Sequence, residues 1–174
     1  MNEVNVDLAA LPIGEAAPGL VNVVVAVPVG SRHKYEYEPE LGVIMRDRVL
    51  PGNVRFPADY GFLPSTESAD GEPLDAMVAA YDPVFPGCVL KARVLGALEM
   101  DEAGETEYNI FAVPDDDPRF EDISSLEDMP EQNLREIQQF FVAFKRREGD
   151  EEAEVRGWCS LEATHEIIRE SIQA

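Results

Sequence analysis

Apolar and polar residues fall into strand-like patterns in the first two thirds of the chain and helix-like patterns only afterwards. Residues 21–27 are β-branched and nearly continuous, which reads as a buried strand. Residues 34–38 alternate charged with aromatic side chains, and 42–48 follow a turn at Pro39, so the two predict an antiparallel pair. Residues 74–80 and 88–98 read as further strands, joined through Asp82-Pro83 and Pro86-Gly87. Ala103-Gly104 centres a hairpin turn, with 107–113 as the returning strand. The Pro- and Gly-rich stretch 51–64 reads as an irregular but ordered loop, because Phe56, Tyr60 and Phe62 require burial.

Helical spacing begins with Leu134, Ile137, Phe140, Phe141 and Phe144, which share one face. Asp128 is the expected cap, with Pro130 and Glu131 behind it, and Gly149 the expected stop. A short strand around Val155 precedes Trp158, and Ser160 caps a last helix running to Ile172. Strands first and two helices last predict an α+β fold whose sheet curls into a small barrel.

At 174 residues the chain supports one domain with its own core, expected over 1–174 with 1–18 as an N-terminal extension. Charge changes the picture more than length. Thirty-five acidic against 14 basic residues give −21, a field that repels nucleic acid and anionic membranes and suits a binder of cations. The longest apolar stretch, 21–29, is interrupted by Asn22 and Pro28 and is too short to span a bilayer. Residues 1–20 carry Glu3 and Asp7 and no basic segment, unlike a signal peptide. Cys88 and Cys159 read as buried, reduced thiols, so the expected location is cytoplasmic.

The most informative segment is Asp70-Gly71-Glu72-Pro73-Leu74-Asp75. Three carboxylates at spacings of two and three, with Gly and Pro fixing the turn, form a set of hard oxygen donors suited to Mg²⁺ or Mn²⁺. In so acidic a chain, a surface loop that binds nothing fits the hexapeptide equally well. Asp101, Glu102, Glu105 and Glu107 form a second acidic cluster, open to the same bland reading. The balance changes because only three lysines occur, and two of them, Lys34 and Lys145, join Arg48 and Tyr60 as candidate anion donors. Carboxylate-held cations beside Lys, Arg and Tyr donors are what a polyanionic phosphate substrate requires.

From about Gly19 to the last helix the chain resembles the family I inorganic pyrophosphatases. The blocks that carry the resemblance are Val23-Val24-Val25-Ala26-Val27-Pro28, His33-Lys34-Tyr35-Glu36, Asp47-Arg48 and Phe56-Pro57-Ala58-Asp59-Tyr60-Gly61-Phe62. The most specific is the segment from Asp70 to Asp75, similar to an Asp-x-Asp-Pro-x-Asp signature. Ala112-Val113-Pro114 and Phe140-Phe141 with Phe144-Lys145 continue the order. The resemblance implies a five-stranded, OB-like closed β-barrel with flanking C-terminal helices, several Mg²⁺ ions and hydrolysis of pyrophosphate to two phosphates. It implies Asp70 and Asp75 as metal ligands, and Glu72 in the place of the residue that orients the attacking water. Lys34, Arg48, Tyr60 and Lys145 become phosphate-binding groups, and a homo-oligomer is expected on the same ground.

Three departures stand out. Ala26 replaces a metal-site Glu, Glu72 replaces Asp, and Phe144 replaces a phosphate-binding Tyr. The hairpin admits two registers. Counted from Asp101, Thr106 and Tyr108 fall at the places of a second ligand and a Lys. Counted back from Ala112-Val113-Pro114 without a gap, Glu102 takes the place of the first ligand, and Glu107 and Asn109 those of the second ligand and the Lys. The second is preferred after the turn, because residues 100–114 then need no gap; Glu107 and Asn109, two apart, share a strand face. Before the turn, Asp101 and Glu102 both remain candidates. The departures also motivate an alternative, a catalytically weakened homologue acting as a metal- or phosphate-binding protein.

Overall fold

β-Branched and small residues build the wall of a ring in the computed structural model, which describes residues 6–147 and 153–173. The strands are β1 (Leu20–Val27), β2 (His33–Glu38), β3 (Val43–Val49), β4 (Asp59–Phe62), β5 (Asp75–Val78), β6 (Val89–Glu102), β7 (Glu105–Pro114) and β8 (Glu154–Cys159). Pairings run β1-β4-β5-β7-β6, β6 returns to β1, and β8 adds to the outer edge of β6. This is the expected α+β fold with an OB-like ring of five strands. β2 and β3 form a separate hairpin. Helices α1 (Glu131–Arg147) and α2 (Leu161–Ser171) follow the sheet as the sequence order predicts.

Apolar residues divide between two faces. Val21, Val23, Val25, Ala76, Val78, Val94 and Ile110 pack together from β1, β5, β6 and β7, with Ile168 of α2 against them. On the other face Met77, Leu98, Met100 and Phe111 meet Ile137, Phe140, Phe141 and Phe144 of α1. Ser160 caps α2 by accepting a hydrogen bond from the Ala163 N–H at 3.1 Å. Ala103 and Gly104 have φ of 52° and 84°, the left-handed pair that a two-residue hairpin turn requires.

Three expectations are corrected. The loop 51–64 contains β4, which lies between β1 and β5. Its pattern was concealed by Gly61, which approaches β1 so closely that an added Cβ would lie 1.8 Å from the Val24 carbonyl oxygen. Asp128 does not cap α1. It accepts bonds from the N–H groups of Ser124 and Ser125 and closes the short turn before the helix. Cys88 and Cys159 are free but half-exposed rather than buried. The expected stop at Gly149 lies outside the described residues. No helix among those described is long and apolar enough to cross a membrane.

Candidate active site

Strand alternation decides which polar residues meet. β5 and β7 run parallel with Asp75 opposite Asn109, and residues two apart share a face. Asp75, Glu107 and Asn109 therefore lie on the face of Met77 and Phe111, beneath α1. β4 places Tyr60 opposite Met77, from where its hydroxyl donates a hydrogen bond to Asp75. Burial pushes Asp75 up to about 6. The Tyr60 bond and the charges of Lys145 and Lys34 oppose that rise, while Asp70 adds to it.

The hairpin resolves around Lys145. Its Nζ donates to Glu102 Oε2 at 2.8 Å and to Glu107 Oε2 at 3.2 Å. Burial and the adjoining Glu102 carboxyl hold Glu107 well above the usual carboxylate range. Burial lowers the Lys145 ammonium, but the two carboxylates outweigh it and raise it. Glu102 stands opposite Glu105, on the face of Met100 and Glu107. Asp101 turns elsewhere, accepting from the Gly104 N–H at 3.0 Å and pairing with Arg156. Thr106 lies opposite Asp101, and Tyr108 opposite Glu99, with which it is hydrogen-bonded.

The cations come from the small hairpin. Lys34 and Arg48 are direct cross-strand partners. Lys34 is only 14% exposed at its side chain, and its Nζ meets Glu36 at 2.6 Å and Asp47 at 3.5 Å. Asp47 also lies 3.9 Å from Arg48 Nε. Beneath both cations lies the Phe144 ring, with Arg48 Cζ at 4.9 Å and Lys34 Nζ at 5.7 Å from its centroid. That contact was not legible in the sequence, where Phe144 registers as part of an apolar helix face and as a missing hydroxyl. Ala26, 4% exposed, belongs to the same apolar cluster as Phe56 and Phe144, where the strand register shifts between Val25 and Val27.

The acidic loop is wound around its own first residue. Asp70 Oδ1 accepts from the Ser68 hydroxyl and, at 2.9 Å, from the Glu72 N–H. Glu72 is exposed, and its backbone oxygen accepts from Ser68. Asp70, Asp75 and Glu107 line a cleft of about 270 Å³ that extends to Glu170 on α2. Among the described residues no three acidic, histidine or cysteine side chains stand close enough to share one ion. The acids are instead bridged by Lys145 and Tyr60. Their chemistry nonetheless fits a hard divalent cation: all donors are oxygen, and two are carboxylates held in their neutral direction by burial.

Known proteins resemble the chain over nearly its whole length. The family model described as inorganic pyrophosphatase matches residues 23–174. An inorganic pyrophosphatase of Thermus thermophilus is 42% identical over 168 residues, covering 95% of this chain and 96% of the relative. One from Haloferax volcanii is 40% identical over 159 residues, covering 91% and 90%. A crystal structure of inorganic pyrophosphatase from Thermus thermophilus superposes with a TM-score of 0.91 at 41% identity, covering 96% of this chain and 97% of that one. With its ring of five strands and its acids and cations gathered on one face, the chain belongs to the inorganic pyrophosphatase family.

Proposed function

We propose that the chain hydrolyses inorganic pyrophosphate to two phosphates by attack of water, dependent on Mg²⁺ with Mn²⁺ as a substitute. The observation that supports this most directly is the gathering of Asp75, Glu102 and Glu107 against Lys145, Lys34 and Tyr60 in a member of this family. Asp70, Asp75, Glu102 and Glu107 are the residues that would hold the cations. Bound there, Mg²⁺ would lower the pKa of a coordinated water and screen the substrate's negative charge. Asp101 is left out of that set, because its carboxylate already serves the Gly104 turn and Arg156.

The remaining steps fall to the chain's own side chains. Lys34 and Arg48, set side by side over Phe144, present a paired positive surface to the phosphate oxygens. Lys145 is held by Glu102 and Glu107, and would turn to the phosphates as cations take over those carboxylates. Tyr60 fixes the orientation of Asp75. Glu72, exposed at the loop tip, would orient the attacking water, a role that rests on the family resemblance. Transferring charge in flight is met by electrostatics throughout, with no covalent nucleophile required. The net charge of −21 is compatible with this role when the substrate arrives as a cation complex. The chain is further proposed to act in the cytoplasm as a homo-oligomer, with the exposed Val43, Met45 and Val49 of β3 as an apolar surface for a second copy.

Phosphate release from pyrophosphate, measured with Mg²⁺, with Mn²⁺ and in excess chelator, tests the reading. Release with Mg²⁺ that chelation abolishes is expected. Absence of release with either metal would overturn it.

A further inference from the structure

Asn109 is a neutral residue on the acidic face whose side chain is left unexplained by the proposed chemistry. It is 4% exposed, and its Oδ1 is buried without a hydrogen-bond partner among the described residues. Its place is fixed by two strands: it lies opposite Asp75 of β5 and two residues beyond Glu107 on β7. A buried amide oxygen left unpaired is destabilising, so it calls for a partner that approaches from the site. Asp75 and Glu107 offer no donor in the ionised form that a cation requires, because ionised carboxylates only accept. Lys145 is engaged by Glu102 and Glu107. The partner that an amide oxygen and carboxylates have in common is a divalent cation, for which amide carbonyls are good hard ligands.

We infer that Asn109 is a metal ligand, presenting its amide oxygen to a divalent cation shared with Asp75 and Glu107. A neutral oxygen at this position leaves the charge of the two carboxylates to be met by an ion from solution. A donor role towards phosphate, through the amide nitrogen, is the competing assignment, and the two predict different measurements.

The inference rests on the functional reading above, but its test does not need substrate. Mn²⁺ binding to the whole chain is measured by electron paramagnetic resonance and calorimetry without pyrophosphate. Asn109→Leu, close in shape but lacking the oxygen, is expected to weaken the tightest Mn²⁺ site about tenfold, as loss of a site residue commonly does. Asn109→Asp keeps the oxygen and adds charge, and is expected to tighten that site several-fold. Should the leucine variant fail to fold, the aspartate variant decides alone, and unchanged or weaker Mn²⁺ binding there overturns the assignment. Unchanged Mn²⁺ affinity in a folded Asn109→Leu, with a raised KM for pyrophosphate, also overturns it and makes the residue a substrate donor. Wild-type hydrolysis with Mn²⁺ affinity indifferent to Asn109 removes this inference and keeps the functional reading. Mn²⁺ affinity that follows Asn109 in a chain unable to hydrolyse pyrophosphate does the reverse.

Discussion

At Phe144 a single substitution changes what a residue offers without emptying its place. The ring is buried at 5% exposure and lies under both Lys34 and Arg48. An aromatic face attracts cations by about 0.5–2 kcal/mol according to how far they are desolvated. Phe144→Leu is therefore expected to raise KM for pyrophosphate about 2- to 30-fold, whereas Phe144→Tyr keeps the face and does not. Steady-state kinetics at saturating Mg²⁺ check this. Asp75 poses a different question, because its carboxyl has a pKa of about 6 in the fold against an ordinary value of 3.8. The folded chain thus holds that proton more tightly than the unfolded one. Ionised Asp75 opposes folding above about pH 6, and the opposition fades as pH falls towards 3.8. In chelator, Asp75→Asn is expected to raise Tm near pH 8 and to leave it unchanged near pH 4, while abolishing hydrolysis. Calorimetry across that range, with an assay at its upper end, measures both.

At the scale of elements, one hairpin sorts its acids by face. The turn at Ala103-Gly104 sets Asp101 against Thr106 and Met100 against Glu107. Glu102 and Glu107 then reach Lys145, while Asp101 reaches Arg156. Calorimetric titration with Mg²⁺ should show Glu102→Gln and Glu107→Gln weakening binding about tenfold or more. Asp101→Asn and Thr106→Val should change it by less than about threefold, the scale of a modest surface electrostatic effect. A ranking with Asp101 and Thr106 ahead would return the ligand role to the other register. β4 makes the complementary point: a four-residue strand can sit mid-sheet only because Gly61 lets the Val24 carbonyl approach.

For the whole molecule, charge is the dominant global property. A net −21 on 174 residues disfavours the compact state by self-repulsion. Several acids already have local partners, including Asp115 with Arg93 at 2.7 Å and Asp117 with Arg119 at 2.8 Å. These pairs are too few to offset the excess, so added salt should help. Between about 0.1 M and 1 M KCl the screening length falls from about 10 Å to 3 Å. Tm in chelator is expected to rise over that interval, and thermal denaturation in a KCl series shows whether it does.

The sequence by itself determined the family, the α+β order, the strand-then-helix layout and the set of residue types at the site. These are local or linear properties: periodicity, turn chemistry, caps such as Ser160, and a signature contained within Asp70 to Asp75. It left the hairpin with two registers and a preference for Glu107 and Asn109, because residues 100–114 then need no gap. Only the tertiary structure decided that Glu102, not Asp101, meets Lys145, and that Phe144 lies under two cations. It alone showed that 59–62 is a strand and that Asn109 keeps a buried oxygen with no hydrogen-bond partner among the described residues. Each of these depends on segments distant in sequence meeting in space, and a linear pattern carries no record of what packs across from it.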